Sequence, residues 1–137
     1  MKPAFVIDNS VVTGWWNPRQ ADDYTRAVRR LCGAARMHAP GLWVLEFANV
    51  LRKAVSTRQL DRAEAQEIIR LVGSAAIEVE KESATPAGLL DLALAYGLTA
   101  YDAAYLALAQ RRKLRLAVRD GALARAAEAS GVGVFLP

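Results

Sequence analysis

The sequence predicts an α/β fold in which a central parallel sheet is covered by helices on both faces. Two short apolar runs, Ala4–Ile7 and residues 114–118, are typical of buried parallel strands, and longer segments between them have helical periodicity. Because neighbouring parallel strands must be joined by crossovers, strands that alternate with helices favour this class. The chain has 137 residues and shows no repeat or low-complexity segment, so we expect residues 1–137 to form a single domain.

The first predicted element is the strand Ala4–Ile7, which ends abruptly at Asp8. A loop that carries Trp15 and Trp16 is expected next, followed by an amphipathic helix. The apolar positions that repeat at helical spacing in this helix are Tyr24, Ala27, Val28 and Leu31. Asp8 therefore lies at the carboxyl end of a strand, where open parallel sheets build their sites.

Two helices and a short strand are predicted in the middle of the chain. The first helix follows the break at Pro40, and Glu46 faces away from its apolar stripe. That stripe consists of Val44, Phe47, Ala48, Leu51 and Val55. The second helix begins near Asp61, which forms a capping-box pattern with Glu64, and a strand with one wet face is expected over residues 77–80.

The last third of the chain predicts three more helices and two strands. Thr85 followed by Pro86 is a good helix start, and Gly97 is a good stop. Thr99 opens the next helix, which ends on basic residues that suit its dipole. The remaining elements are expected over residues 114–118, 122–130 and 132–136, and Asp120 lies just after the first of them.

The composition indicates a polyanionic partner and contains no membrane segment. Lys and Arg number 18 against 14 Asp and Glu, so the formal net charge is +4. This excess suits a nucleic acid, although scattered surface charge explains it equally well. No apolar stretch approaches the roughly 20 residues that span a bilayer, and an acid interrupts the N-terminus before a signal-peptide core can form, so we expect a cytoplasmic protein.

The single cysteine and the single histidine limit the kinds of metal site and catalytic site that we expect. Cys32 lies among apolar residues at helical spacing and is predicted to be a buried, inert thiol. His38 stands alone, which argues against a histidine-rich zinc site and against a Ser-His-Asp triad. Any metal is therefore expected to be bound by oxygen.

Four acids are candidates for a shared site, and each has a structural alternative. Asp8 matches turn chemistry, and Asp120 could simply cap the helix that follows it. Asp102 completes a capping-box pattern with Thr99. Glu46 has no cation three or four residues away, so it either lines a cleft or is a plain surface acid.

Binding of a divalent cation would explain why four acids share one site. Carboxylates that converge repel one another and raise their own pKa values, and a bound cation removes that penalty. Mg²⁺ prefers oxygen ligands, and such cations activate water and neutralise charge during phosphodiester cleavage. Together with the basic surface, the acids point to metal-dependent hydrolysis of a nucleic acid.

Four segments of the chain resemble the PIN-domain nucleases, most closely the VapC toxins of bacterial and archaeal toxin–antitoxin pairs. The segments are F-V-I-D-N-S-V-V, P-G-L-W-V-L-E-F-A-N-V-L, Y-G-L-T-A-Y-D-A-A-Y-L-A-L-A and L-A-V-R-D. With the helix and G-V that follow the last segment, they cover nearly the whole chain. The resemblance implies a three-layer α/β/α fold with a central parallel sheet, and endoribonuclease activity that in several members cuts tRNA.

The same resemblance implies an acidic site with Mg²⁺ or Mn²⁺ as its cofactor. The residues implied for this site are Asp8, Glu46, Asp102 and Asp120. Ser10 is implied as a supporting hydroxyl near the metal, and Glu46 either binds the metal or orients the attacking water. The late motif departs from a common pattern of the family, because Val118 stands where a Thr or Ser precedes the acid by two residues.

The resemblance further implies an RNA substrate, a homodimer, and a cognate VapB-type antitoxin that inserts a segment into the active-site groove. Two sets of residues are candidates for these contacts, with ordinary packing and solvated surface charge as the alternatives. They are Trp15, Trp16 and Trp43 for protein contacts, and Arg19, Arg52, Lys53 and Arg58 for the RNA backbone.

Three other functions compete with this interpretation. A phosphatase of the haloacid dehalogenase type also begins with a strand-end Asp, but it requires a second Asp where Ser10 stands. A receiver-type phosphoacceptor expects paired acids after the first strand, and Asn9 and Ser10 do not provide them. The third alternative is a non-catalytic PIN-like module that binds RNA or protein, against which the retention of all four acids argues.

Overall fold

A parallel sheet flanked by helices organises the chain in the computed structural model, which describes residues 2–81 and 84–137. The strands are β1 (Ala4–Ile7), β2 (Arg36–Pro40), β3 (Glu78–Glu80) and β4 (Arg115–Ala117). The helices are α1 (Asn9–Trp16), α2 (Asp23–Arg29), α3 (Leu42–Ser56), α4 (Arg62–Gly73), α5 (Pro86–Tyr96), α6 (Ala100–Arg112) and α7 (Ala122–Ala129). The strand order is β3-β2-β1-β4 with every pair parallel, which confirms the predicted α/β/α fold.

Strand β1 lies inside the sheet and carries the centre of the core. Phe5 is in register with Met37 of β2 and with Arg115 of β4. The last three residues of β1 are completely buried, and the ring of Phe5 stacks on that of Phe135 with centroids 4.1 Å apart. A strand covered on both faces has no polar side, which is why its sequence is continuously apolar.

Helix α1 forms where the sequence predicts a loop, so the prediction for Trp15 and Trp16 is wrong. Asp8 caps this helix by accepting a hydrogen bond from the backbone N–H of Ser10 at 3.2 Å. Two completely buried valines follow the cap and anchor the helix in the core. Burial therefore makes a helix of a segment whose β-branched and glycine residues are poor helix formers.

The contact between α1 and α2 depends on Gly14. A Cβ atom at this position would lie 2.5 Å from Cγ2 of Thr25, which is completely buried on α2. Trp15 adds a hydrogen bond from its indole Nε1 to the carbonyl oxygen of Thr25, at 3.1 Å. This close packing also positions the start of α2, where Asp22 is the N-cap.

Two parts of the sheet differ from the prediction. Strand β2 was not expected, because Arg36–Pro40 shows no alternation and ends in proline, yet four of its five residues are buried. Residues 132–136 do not form the expected final strand: the described structure has a single parallel bridge between Leu116 and Val134 there. The strand predicted over residues 77–80 is β3.

Several helix ends lie where the sequence predicts them. Asp61 and Glu64 form a complete capping box at the start of α4. Thr85 caps α5, Pro86 occupies its first position, and Gly97 ends it with φ 64. Glycine adopts this left-handed conformation without the penalty of a Cβ atom, which explains why the helix stops there.

The apolar stripe predicted for α3 is partly wrong. Val44 is 49% exposed and Ala48 is exposed, whereas Trp43 and Phe47 are buried with their rings stacked 5.2 Å apart. The buried face is therefore rotated by about one residue from the prediction. Glu46 consequently lies at the edge of the core and is half-buried, rather than opposite it.

A cluster of ionisable side chains joins β2, β3 and the end of α6, and consists of His38, Glu78, Glu80 and Arg112. We call it the His38 cluster. The guanidinium of Arg112 lies 2.7 Å from Oε1 of Glu80 and 3.3 Å from Nδ1 of His38. Nδ1 of His38 also lies 3.5 Å from Oε2 of Glu78. His38 is buried here as a structural residue, whereas Cys32 is only half-buried, which corrects the prediction of a buried thiol.

No single helix of the described residues is long and apolar enough to cross a membrane. Helices α5 and α6 reach that length and composition only when taken together, and they are bent by 101° at the break between them.

Candidate active site

An acidic cavity of about 360 Å³ opens at the carboxyl ends of β1 and β4. Its lining includes three of the four predicted acids, Asp8, Asp102 and Asp120, and the predicted hydroxyl residue, Ser10. The other residues that line it are Asp22, Val118, Arg119, Gly121, Ala122 and Leu123. The topology brings these side chains together because parallel strands end at the same edge of the sheet.

Asp8 lies deepest in this arrangement, directly after β1. Its removal from water raises the pKa of the carboxyl, hydrogen bonds from Ser10 oppose the increase, and the negative charge of Asp102 adds to it. Asp8 is thus both the N-cap of α1 and a wall of the cavity. The turn explanation offered for this acid is correct, and it is compatible with a place in the site.

Asp102 reaches the cavity from the first turn of α6. Thr99 caps the helix by accepting a hydrogen bond from the backbone N–H of Asp102 at 3.1 Å. In the described structure the Asp102 side chain does not return a bond to Thr99, so the capping box is only half formed. Burial raises the pKa of the Asp102 carboxyl.

Glu46 stands beside the cavity on α3 rather than in its lining. Burial raises the pKa of its carboxyl, a hydrogen bond from Tyr105 lowers it, and the charges of Asp8 and Asp102 raise it further. Glu46 is therefore close enough to both aspartates to respond to their charge. The hydroxyl of Tyr105 donates to Oε1 of Glu46 at 2.5 Å, and burial followed by this bond raises the pKa of Tyr105.

Asp120 lies at the mouth of the cavity and is exposed. The capping explanation for this acid is wrong, because Gly121 occupies the N-cap position of α7 and no side chain caps that helix. The preceding residue, Arg119, donates its backbone N–H to Oγ of Ser10 at 3.5 Å. Ser10 and the loop after β4 are thus joined across the cavity.

The sequence interpretation missed an ion pair in the cavity wall, between Asp22 and Arg119. Nε of Arg119 lies 3.3 Å from Oδ2 of Asp22, and its Nη1 donates to Oε1 of Gln20 at 2.5 Å. The backbone N–H of Thr25 is the main cause of a lowered pKa for Asp22, with Arg119 adding to it. A helix cap at Asp22 was predictable from its sequence, but pairing across 97 residues was not.

The donor chemistry of this region fits a hard divalent cation. Asp8, Glu46 and Asp102 offer carboxylate oxygens, and burial raises the pKa of each, an effect that a bound cation reverses. Within residues 2–81 and 84–137, however, no three Asp, Glu, His or Cys side chains are close enough together to hold one ion.

The other candidate residues lie outside the acidic cavity. The indole of Trp43 packs in the core, and Trp15 and Trp16 pack against it, which favours the packing explanation. All four basic residues proposed for the RNA backbone are exposed and none lines the cavity: Arg19, Arg52, Lys53 and Arg58.

A larger, mainly apolar cavity of about 860 Å³ adjoins the acidic one. The two cavities share four lining residues, Asp22, Val118, Arg119 and Asp120. Tyr24 also lines the apolar cavity, and its hydroxyl donates to the carbonyl oxygen of Phe135 at 2.7 Å. The Asp22–Arg119 ion pair thus stands in the wall between the two spaces.

Comparison with known proteins agrees with this arrangement. A family model described as the PIN domain matches residues 5–129. Ribonuclease VapC3 of Pyrobaculum aerophilum is 30% identical over 121 residues, which are 87% of this chain and 91% of that protein. The crystal structure of PAE2754 from Pyrobaculum aerophilum has the same fold, with a TM-score of 0.70 and 22% identity, covering 90% of this chain and 79% of that one. The chain belongs to the PIN domain family.

Proposed function

We propose that this protein is a divalent-metal-dependent endoribonuclease and the toxin of a VapBC-type toxin–antitoxin pair. Its membership of the PIN domain family and its similarity to a protein named ribonuclease VapC3 support this activity. The observation that carries the proposal is the acidic cavity. There Asp8 and Asp102 lie close together, and in the described structure neither forms an ion pair with a basic side chain.

In this proposal the four acids named from the sequence bind Mg²⁺ or Mn²⁺, some of them through water molecules that the cation retains. They are Asp8, Glu46, Asp102 and Asp120, with Ser10 as a supporting hydroxyl. When bound, the cation supplies charge neutralisation at the phosphate and activation of the attacking water. Glu46 binds the cation or orients that water, and Arg119 offers a guanidinium to the substrate phosphate at the cavity wall.

The proposed substrate is RNA, with tRNA as the first class to examine. A net charge of +4 favours association with such a polyanion. We further propose that residues 1–137 act as one nuclease domain in the cytoplasm, and that a VapB-type antitoxin silences it by covering the acidic cavity. A non-catalytic PIN-like module that binds RNA or protein is the alternative.

A homodimer is also part of the proposal. Helix α5 has no buried residue, and it presents Leu90 and Leu94, which are 57% and 76% exposed and one helical turn apart. Exposed leucines on one helix face suit a second copy of the chain. Light scattering on the purified protein measures the mass in solution.

The test compares cleavage of total cellular RNA by the wild type and by Asp8→Asn, each with Mg²⁺, Mn²⁺ or EDTA. The substitution keeps the shape of the side chain and removes its charge. We expect discrete, metal-dependent fragments from the wild type and a loss of at least about a hundredfold in the variant, more than the loss of an outer-shell partner costs. Asp91→Asn is the matched control, because Asp91 is an exposed acid on α5.

Two results contradict the proposal. Equal cleavage by the wild type and Asp8→Asn, or cleavage that persists in EDTA, rules out a site that works through this carboxylate and a metal. RNA binding without cleavage, by wild-type protein free of antitoxin, supports the non-catalytic module instead.

A further inference from the structure

Tyr105 makes one side-chain hydrogen bond that links two of the elements around the acidic cavity. Its hydroxyl donates to Oε1 of Glu46 at 2.5 Å, from α6 to α3, across 59 residues of sequence. Tyr105 follows Asp102 by three residues on α6, so the two side chains lie on neighbouring positions of one helix face. The helix that brings Asp102 to the cavity therefore also holds Glu46.

The hydroxyl of Tyr105 cannot form a hydrogen bond with solvent in place of the bond to Glu46. The residue is completely buried, and an unpaired buried hydroxyl costs free energy that phenylalanine at the same place would avoid. Glu46, in turn, has no basic partner among the described residues, so Tyr105 is the donor that fixes its carboxylate. The bond thus connects a buried group that needs an acceptor with a charged group that needs a donor.

A second tyrosine shows what a purely structural hydroxyl looks like in this protein. The hydroxyl of Tyr24 donates to a backbone carbonyl, that of Phe135, and ties α2 to the C-terminal segment. A backbone carbonyl is held in place by the chain itself, so this hydrogen bond does not orient a group for chemistry. The acceptor of Tyr105 is instead a carboxylate that responds to the charges of Asp8 and Asp102.

We propose that Tyr105 is a positioning residue of the active site, which holds the carboxylate of Glu46 in the direction of Asp8 and Asp102. With one oxygen of Glu46 engaged by the hydroxyl, rotation of the side chain is restricted and the other oxygen is left for the cation or the attacking water. This inference rests on the proposed nuclease function and adds to it a residue that does not itself touch metal or substrate.

Tyr105→Phe tests the inference because it deletes one oxygen atom and leaves the ring in the core. We expect the affinity for Mn²⁺, measured by titration calorimetry on protein without RNA, to fall about tenfold or more, as for other outer-shell partners of metal ligands. We expect kcat for RNA cleavage to fall by a similar factor with KM for RNA unchanged. Tyr24→Phe is the matched control, since it deletes an equally hydrogen-bonded hydroxyl, and it should leave both quantities at the wild-type level.

The same substitution in a Glu46→Asp background separates positioning from general loss of packing. Aspartate keeps the charge but is one carbon shorter, so its carboxylate cannot keep the bond to Tyr105. Tyr105→Phe should then change Mn²⁺ affinity and kcat by less than about twofold. If it lowers them as much as in the wild-type background, the effect does not pass through Glu46, and the inference is wrong.

The outcomes distinguish this inference from the proposed function. Wild-type protein that cleaves no RNA contradicts the function, while a loss of Mn²⁺ affinity in Tyr105→Phe still supports the positioning role. Wild-type cleavage together with a Tyr105→Phe variant that matches it in both Mn²⁺ affinity and kcat overturns the positioning role alone.

Discussion

Two clusters of carboxylates in this protein differ in whether a basic side chain compensates their negative charge. In the His38 cluster, Glu80 is paired with Arg112 at 2.7 Å, and His38 lies close by. At the acidic cavity, Asp8 and Asp102 are partly removed from water, and in the described structure no basic side chain forms an ion pair with either. A paired acid has its charge compensated within the fold, whereas acids that converge without compensation cost stability in the empty protein and are typical of ligand-binding sites.

Asp22, in the wall of the acidic cavity, is intermediate between the two clusters. Asp22 lines the cavity, but Arg119 and the cap at Thr25 satisfy its charge. Its pKa is lowered, while those of Asp8 and Asp102 are raised. Lining the cavity is therefore not sufficient to identify a functional carboxylate, and the absence of a basic partner is the better criterion.

Asp102→Asn tests the acids of the cavity that have no basic partner, and we expect it to have the largest effect. The proposed function makes Asp102 a direct metal ligand, so we expect RNA cleavage to fall by at least about a hundredfold, more than the loss of an outer-shell partner costs. In EDTA the variant should be more stable than the wild type by about 1 kcal/mol, because a carboxylate disfavoured by burial is replaced by a neutral amide. Urea unfolding and the cleavage assay measure the two quantities, and a less stable variant would break the comparison.

Arg119→Ala tests the intermediate case and should have a smaller effect. It removes a guanidinium from the cavity wall and leaves Asp22 with the cap at Thr25 but without its basic partner. We expect KM for RNA to rise about tenfold, the loss of one charge-assisted phosphate contact, with a smaller change in kcat. Steady-state kinetics measure both. Arg111→Ala, an exposed arginine near the end of α6, is the control, and an equal increase in KM for both variants would indicate a loss of overall charge instead.

Glu80→Gln tests the compensated side and should have the smallest effect. It weakens a partly exposed ion pair with Arg112, so we expect a loss of about 1 kcal/mol in the free energy of unfolding. RNA cleavage should be unchanged at a temperature where both proteins are folded. Glu67→Gln, in an exposed pair with Arg70, should leave stability unchanged. Reduced cleavage by Glu80→Gln would show that the two clusters are not independent.

The sequence predicts the parts of the fold whose signals are local. The strands that end on Asp8 and near Asp120, the capping box at Asp61, and the stop at Gly97 all depend on residues close together in the chain. The three-layer class follows from their alternation. Helix α1 and strand β2 were missed because each is formed by burial in the sheet rather than by its own propensity.

The residues of the candidate site also fall into those that the sequence predicts and those that only the structure reveals. The four acids were identified from the order of motifs along the chain, and three of them line the acidic cavity. The Asp22–Arg119 pair and the Tyr105–Glu46 bond join residues 97 and 59 positions apart, so no local pattern reports them. Tyr105 lies in the third of the motifs quoted from the sequence, but only the folded chain reveals what its hydroxyl does.

The wall shared by the two cavities has a consequence for inhibitor chemistry. A compound with an apolar body in the space of about 860 Å³ and a chelating head in the adjoining space of about 360 Å³ would contact both sides of the Asp22–Arg119 ion pair. The body would supply most of the buried surface, and the head would supply orientation. Selectivity between members of the PIN domain family would then depend on the residues around the apolar space, which the chemistry of the acids leaves free to vary.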